Sequence, residues 1–220
     1  LLCTEYLFHH QRDAMPGSAV FADTRQHDTM TAMAEAALAQ APGQLIPIGL
    51  SMGGDVALEM ARLAPSRISA MALLSTSCRQ DDAAQRAYRE QAIKLAGQDG
   101  FRGLTRHFLG KCLSQTALAD AALVDGVLAM AADIGRGVFA RQQKAILGRR
   151  DQRDVLAGFS APLLIICGTD DKLTPPHLSA EMAALAPHAD MRLLFDVGHL
   201  STLEAPDACR TALLDLLARV

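Results

Sequence analysis

The sequence has no tryptophan, and aromatic residues make up 4% of its 220 residues. This scarcity gives no sign of an aromatic cage, so a binding pocket would be lined by leucine, methionine and alanine. No apolar stretch approaches the roughly 20 residues that a membrane-spanning helix needs. Basic and acidic residues number 21 and 24, a net charge of −3, and the basic residues form no stripe. These absences predict a soluble protein that binds neither nucleic acid nor membrane.

The cysteines are few and widely separated. The chain has five, and no two of them form a C-x-x-C pair: Cys3, Cys78, Cys112, Cys167 and Cys209. An odd number at this spacing disfavours a disulfide framework and a zinc site, and it predicts reduced thiols. No secretory leader is visible, since an acid occurs within the first five residues. We therefore predict a cytoplasmic protein without a metal.

Short apolar runs alternate with segments of helical periodicity along most of the chain. The predicted strands are residues 18–22, 45–50, 68–74, 163–167 and 191–195, and the main predicted helices are residues 31–40, 56–63 and 207–220. The last three strand candidates are continuous apolar runs, which is typical of strands covered on both faces. The alternation predicts an α/β fold with a mostly parallel sheet flanked by helices.

One long stretch, residues 79–158, breaks this alternation because it shows no convincing strand. Helical segments are predicted at 81–96, 116–132 and 138–147, with Gly97, Gly110 and Gly148 where helices would stop. Ligands of α/β proteins bind beyond the carboxyl ends of the strands, so we interpret the stretch as a helical lid over that end of the sheet. The predicted division is residues 1–78 and 159–220 for the core and 79–158 for the lid.

The sequence Gly49-Leu50-Ser51-Met52-Gly53 follows a predicted strand and opens a predicted helix. A G-x-S-x-G pattern alone is weak and fits an ordinary glycine-rich turn equally well. In a tight strand-to-helix turn, however, the serine is strained and its hydroxyl is exposed, and side chains two residues away would clash. The position therefore favours Ser51 as a nucleophile.

A serine hydroxyl needs a base, and the base needs a carboxylate that orients it. After the strand candidate at 163–167 the chain places Asp170 and Asp171, and after the one at 191–195 it places His199. The alternative for His199 is a solvated loop histidine. Serine, acid and histidine would thus follow three strands of one sheet, at the end where ligands bind.

Three stretches carry a family resemblance: IGLSMGG at 48–54, LLIICGTDDKLTPP at 163–176 and VGHLSTLEAP at 197–206. On these the chain resembles the α/β-hydrolase superfamily, and within it the small lidded esterases and lactonases. The resemblance implies Ser51 as nucleophile and His199 as general base and acid. It also implies Asp171, the third residue after Gly168, as the orienting carboxylate in preference to Asp170.

The family's oxyanion hole uses two backbone N–H groups. The resemblance implies that Met52, which follows the nucleophile, supplies one, and that Leu1, or less favourably Leu2, supplies the other. The usual H-G-x or P-G-x junction precedes such a stretch, but the chain begins at Leu1-Leu2-Cys3. We therefore expect the N-terminal strands of the family's sheet to be missing from this chain.

The resulting prediction is a cofactor-free serine hydrolase that cleaves carboxylic esters of small or medium acyl groups. Its partner is a small-molecule ester substrate, and the protein is a monomer or small homo-oligomer. A lactonase, a thioesterase or a cofactor-free perhydrolase would use the same triad, and a non-catalytic ligand-binding hydrolase fold is the alternative from another class. A dehalogenase would carry aspartate at the nucleophile position, so Ser51 argues against one.

Several other polar residues have two interpretations. Arg79 and residues 141–143 of the predicted lid either meet a polar end of the substrate or form surface ion pairs. His9 and His10 either line the pocket or lie at a surface helix end. We favour the surface placement for each of them.

Overall fold

The computed structural model describes residues 1–98 and 104–220. Four strands form a single parallel sheet in the order β1-β2-β3-β4. They are β1 (Ile48–Leu50), β2 (Met71–Leu74), β3 (Leu163–Gly168) and β4 (Asp190–Leu194). The parallel sheet flanked by helices confirms the predicted α/β fold.

The described helices lie before, between and after these strands. They are α1 (His9–Arg12), α2 (Met30–Gln40), α3 (Met52–Leu63), α4 (Ala83–Ala96), α5 (Arg106–Cys112), α6 (Gln115–Ala119), α7 (Ala121–Leu147), α8 (Arg153–Ala157), α9 (Pro176–Leu185), α10 (Ser201–Glu204) and α11 (Pro206–Leu217). Single 3-10 turns occur at Glu5–Phe8 and Pro65–Arg67.

The core lies on both faces of the sheet. Alternate residues of β2 and β3 divide between two apolar clusters, so that Leu73 and Ile165 point to one face and Leu74 and Ile166 to the other. All residues of β2 and β3 are buried. Because both faces are covered, these strands read as continuous apolar runs, as predicted.

Strand β4 departs from that prediction. It is an edge strand whose residues are partly or fully exposed, and Phe195, directly after it, is 79% exposed. The stretch at 191–195 is not a continuous apolar run, since Arg192 interrupts it, and it belongs to a strand that is covered incompletely. An apolar run identifies a strand, but its place in the sheet determines how much of it is covered.

The predicted strand at residues 18–22 is wrong. These residues form no strand, and all of them except Phe21 are exposed. A strand needs a neighbour with which to share its backbone hydrogen bonds, and no described strand lies beside this run. Five small or apolar residues in sequence are too short a pattern to identify a strand.

Between β2 and β3 the described residues form helices α4 to α8 and no strand, as predicted for residues 79–158. We call residues 79–158 the helical segment. Gly97 and Gly148 follow the ends of α4 and α7, as predicted, but Gly110 lies inside α5. The helix predicted at 116–132 covers α6 and the first part of α7, and the one predicted at 138–147 is the last part of α7, which changes direction at Gly135 with a φ of 70°.

A buried ionic cluster joins both ends of the helical segment to α3. Arg149 contacts Asp55 of α3 at 3.0 Å and Asp81 at 2.7 Å, and Asp81 also contacts Arg89 of α4 at 2.5 Å. Next to it, the backbone N–H of Gln152 donates to the carbonyl of Cys78 at 2.7 Å. The segment thus leaves the core and returns to it at one place.

Candidate active site

Ser51 occupies a strained turn between β1 and α3. Its backbone has φ 55° and ψ −120°, a left-handed conformation that residues with a side chain rarely adopt. The backbone N–H of Ser51 donates to the carbonyl of Leu74 in β2 at 2.9 Å, and this bond holds the turn against the sheet. Such strain costs about 1–3 kcal/mol and is characteristic of functional sites.

The glycines around Ser51 have different roles. A Cβ at Gly49 would lie 2.1 Å from the carbonyl oxygen of Gly53, so the predicted clash is present there. At Gly53 a Cβ would meet no atom within 4 Å, so the clash predicted for that position is absent. The second crowded position is Gly54, where a Cβ would lie 2.6 Å from the side chain of Thr76. Thr76 also donates its hydroxyl to the Ser51 carbonyl at 2.8 Å.

The structure brings His199 and Asp171 together. The Nδ1 atom of His199 lies 3.1 Å and 2.9 Å from the two carboxylate oxygens of Asp171. Both residues are buried, with 4% and 3% of their surfaces exposed. The neighbouring Asp170 is partly exposed and accepts a hydrogen bond from the hydroxyl of Thr169 at 3.2 Å. Of the two aspartates, Asp171 is the one that contacts His199.

The Asp171 carboxylate also accepts hydrogen bonds from its own loop. The backbone N–H groups of Leu173 and Thr174 donate to Oδ1 at 2.9 Å and 2.8 Å, and the Thr174 hydroxyl donates to Oδ2 at 2.7 Å. Burial by itself raises the pKa of Asp171. The positive field of His199 and the hydrogen bonds from His199 and Thr174 outweigh burial, so that the pKa lies below its usual value.

Ser51 and His199 line the same pocket, which is otherwise apolar. The core and the N-terminal residues supply Leu1, Leu2, Cys3, Leu50, Leu173 and Leu200, and the helical segment supplies Leu104, Phe108, Cys112, Val127 and Met130. Because Nδ1 of His199 is engaged by Asp171, Nε2 is the ring nitrogen left for a reacting group. The pocket joins a serine, a histidine and apolar walls, as acyl transfer requires.

The two predicted oxyanion donors lie near this pocket. Met52 is the first residue of α3, where backbone N–H groups have no partner within the helix. Leu1 lines the pocket. The N–H of Leu2, which has a φ of 57°, donates instead to the side-chain oxygen of buried Gln142 at 3.1 Å. That contact leaves Leu1 as the predicted second donor.

The remaining polar candidates lie elsewhere. Arg79 is exposed and pairs with Glu181 at 2.7 Å, and the guanidinium of Arg141 donates to the carbonyl of Arg25. His9 and His10 belong to the short helix α1. Within the described ranges, no three His, Cys, Asp or Glu side chains are grouped so that they could hold a metal ion, and no helix is long and apolar enough to cross a membrane.

Sequence reasoning gave no role to Thr174, and the surface placement that it favoured for Gln142 and Gln143 is wrong, since both side chains are buried. Thr174 belongs to the stretch at 163–176 that carries the family resemblance, and its hydroxyl lies between Asp171 and His199, 3.2 Å from Nδ1. A hydroxyl three residues after an acid could have suggested this contact. Gln142 contacts Leu2 across 140 positions of the chain, and no local pattern reveals such a pair.

The comparison with known families decides the classification. The family model described as alpha/beta hydrolase fold matches residues 23–206. The chain belongs to this family. The order of its parts agrees with this hydrolase fold, since the turn at Ser51, the loop of Asp171 and the loop of His199 follow β1, β3 and β4.

Three relatives of this α/β hydrolase illustrate the range of functions. The protein named non-heme bromoperoxidase BpoC from Mycobacterium tuberculosis is 29% identical over 79% of this chain and 68% of its own length. A pimeloyl-[acyl-carrier protein] methyl ester esterase from Aromatoleum aromaticum is 27% identical over 86% and 80%. The crystal structure of an enol-lactonase from Burkholderia xenovorans is similar at a TM-score of 0.74, with 26% identity over 86% of this chain and 73% of that one.

Proposed function

We propose that this α/β hydrolase cleaves carboxylic esters of small or medium acyl groups through an acyl-enzyme intermediate. One observation carries the proposal: a strained, pocket-lining Ser51 shares its apolar pocket with His199, and Nδ1 of that histidine is held by the buried carboxylate of Asp171. A serine, a base and an orienting acid are the components that activate a hydroxyl for attack on a carbonyl.

The mechanism follows from these positions. Ser51 Oγ attacks the acyl carbonyl while Nε2 of His199 takes its proton, and Asp171 stabilises the resulting imidazolium. The N–H groups of Met52 and Leu1 bind the oxyanion, and one such donor contributes about 3 kcal/mol to the transition state. The alcohol leaves with the proton from His199. A water activated by the same nitrogen then releases the carboxylic acid and restores Ser51.

The lining of the pocket favours an uncharged, apolar acyl group. Its described lining beyond Ser51 and His199 consists of apolar residues and two cysteines, and none of them offers a counter-charge for a second carboxylate on the substrate. Because Phe108, Val127 and Met130 come from the helical segment, we propose that this segment acts as a lid and sets the acyl length.

A lactonase is the second candidate, and the likeness to the enol-lactonase structure favours it. A lactone is a cyclic ester, so the same three residues would open it. The difference is that the leaving alcohol stays attached to the acyl chain. Only the substrate profile separates the two activities.

Labelling with a fluorophosphonate probe, followed by peptide mapping, tests the proposal. We expect one label on Ser51 in the wild type, none in Ser51→Ala, and unchanged labelling in Ser66→Ala, a control at an exposed serine. Turnover is then measured on p-nitrophenyl esters from acetate to laurate, on γ-lactones and on acyl thioesters. An unlabelled Ser51 in folded protein would refute the serine mechanism, and preference for lactones or thioesters would replace the ester assignment.

A further inference from the structure

The loop that carries His199 is held from its backbone side by Glu204. One carboxylate oxygen of Glu204 accepts the N–H of Gly198 at 2.9 Å, and the other accepts the N–H of Leu200 at 3.2 Å. These two residues flank His199 on either side. A single carboxylate therefore fixes the backbone immediately before and immediately after the histidine.

The same carboxylate reaches the helical segment. The Glu204 oxygen that binds Gly198 also accepts the backbone N–H of Ser114 at 2.9 Å. In the opposite direction, the N–H of His199 donates to the carbonyl of Cys112 at 2.7 Å. Cys112 ends α5, and Ser114 precedes α6. The α5–α6 junction and the histidine loop are thus joined by hydrogen bonds that run both ways.

Close packing at Gly198 reinforces this connection. A Cβ at that position would lie 2.7 Å from the Ser114 nitrogen, 2.8 Å from the Cys112 oxygen and 2.9 Å from a Glu204 carboxylate oxygen. The loop lies too close to the junction for a side chain at this position, so only glycine fits. The histidine loop and the junction are therefore in close backbone contact at this position.

We propose that Glu204 is a positioning residue for His199, through which the docked α5–α6 junction of the helical segment sets the direction of the imidazole. Asp171 holds the ring at Nδ1, and Glu204 holds the backbone from which the ring projects. Hydrogen bonds to an ionised acceptor are roughly twice as strong as neutral ones, so one carboxylate with three N–H donors is a firm anchor. The inference rests on the proposed function, in which His199 is the base.

The substitution Glu204→Gln tests this with little change of volume. In glutamine one of the two oxygens becomes an NH2 group, which donates and would face an N–H that also donates. In either orientation of the glutamine side chain, at least one of the backbone N–H groups of Gly198, Leu200 and Ser114 loses its acceptor. Glu35→Gln is the matched control, because Glu35 is an exposed glutamate on α2.

We expect kcat and the rate of fluorophosphonate labelling to fall about 100-fold in Glu204→Gln, because a displacement of about 1 Å at a catalytic group costs that much. KM should stay within about threefold, since Glu204 does not line the pocket. Hydrogen exchange should accelerate at residues 112–115 and 197–201 and stay unchanged in β2 and β3. Glu35→Gln should match the wild type in kcat, KM, labelling rate and hydrogen exchange.

Two results would overturn the proposal. One is a Glu204→Gln protein whose kcat and labelling rate stay within twofold of the wild type. The other is exchange that accelerates equally throughout the chain, which would make Glu204 a general stabilising residue. If wild-type Ser51 takes no label, the proposed function fails, and the exchange pattern still decides whether Glu204 holds the loop to the helical segment.

Discussion

Replacing Asp171 by asparagine should reverse the hydrogen-bonding polarity of His199. The N–H groups of Leu173 and Thr174 both donate to Oδ1, so the asparagine oxygen will occupy that position. The asparagine NH2 group then takes the place of Oδ2, 2.9 Å from Nδ1 of His199. Because NH2 donates, Nδ1 must accept, and the ring proton moves to Nε2. A protonated Nε2 cannot take the proton of Ser51.

The size of the loss follows from this wrong tautomer. The same substitution in the serine protease triad leaves the geometry intact and lowers kcat by about 10⁴, which corresponds to about 5.4 kcal/mol of activation free energy. We expect a similar fall in kcat for Asp171→Asn on the best ester. The fold should persist, because the asparagine oxygen keeps both backbone hydrogen bonds of the loop.

Asp170→Asn is the control, since this neighbouring carboxylate contacts Thr169 rather than His199. We expect its kcat to change by less than about threefold. Both variants are compared by steady-state kinetics and by thermal unfolding, which checks that each is folded. A folded Asp171→Asn enzyme with more than a tenth of wild-type kcat, or a larger loss in Asp170→Asn, would refute the assignment of Asp171.

Two further predictions concern the pocket wall and the thiols. Met130 is buried in the pocket wall, so Met130→Ala should shift the preferred p-nitrophenyl ester to a longer acyl chain and lower the free energy of unfolding by about 2–5 kcal/mol. The control is Leu95→Ala, at an exposed leucine of the same segment. An unchanged acyl-length profile in folded Met130→Ala would refute the lid role. Burial raises the pKa of Cys112 to about 12 and those of Cys78 and Cys167 to about 11. These thiols should therefore react with a disulfide reagent at pH 8 only after the protein unfolds. Rapid reaction of all three thiols in the native protein would contradict this prediction.

The sequence was informative where chemistry and local structure coincide. The turn at Ser51 follows from glycines at fixed offsets, and β2 and β3 follow from apolar runs that both faces of the sheet require. The choice of Asp171 over Asp170 came from the family pattern, and the structure places Asp171 against His199. These features depend on residues that are neighbours in the chain, so a pattern can carry them.

Sequence reasoning failed where contacts join distant parts of the chain. Glu204 stands in a stretch quoted for the family resemblance, yet its contact with Ser114 spans 90 positions. The run at 18–22 resembled a strand because a strand pattern describes the residues and not the neighbour that they need. The prediction of a covered strand that ends at Phe195 fails for the same reason. The exposure of Phe195 depends on the position of β4 at the edge of the sheet, which its own sequence does not encode.

The ionic cluster of Asp55, Asp81, Arg89 and Arg149 has a consequence for how this fold can be altered. These ion pairs join the two ends of the helical segment to α3, while the α5–α6 junction docks separately on the histidine loop. Because its two ends meet at this cluster, the segment could be exchanged as a unit that also keeps the contact of the α5–α6 junction with Glu204. A segment from a relative could be transplanted here if it brings Asp81, Arg89 and Arg149 with it. Without them, Asp55 would remain as a buried charge with no counter-ion, and breaking such a pair costs about 3–5 kcal/mol.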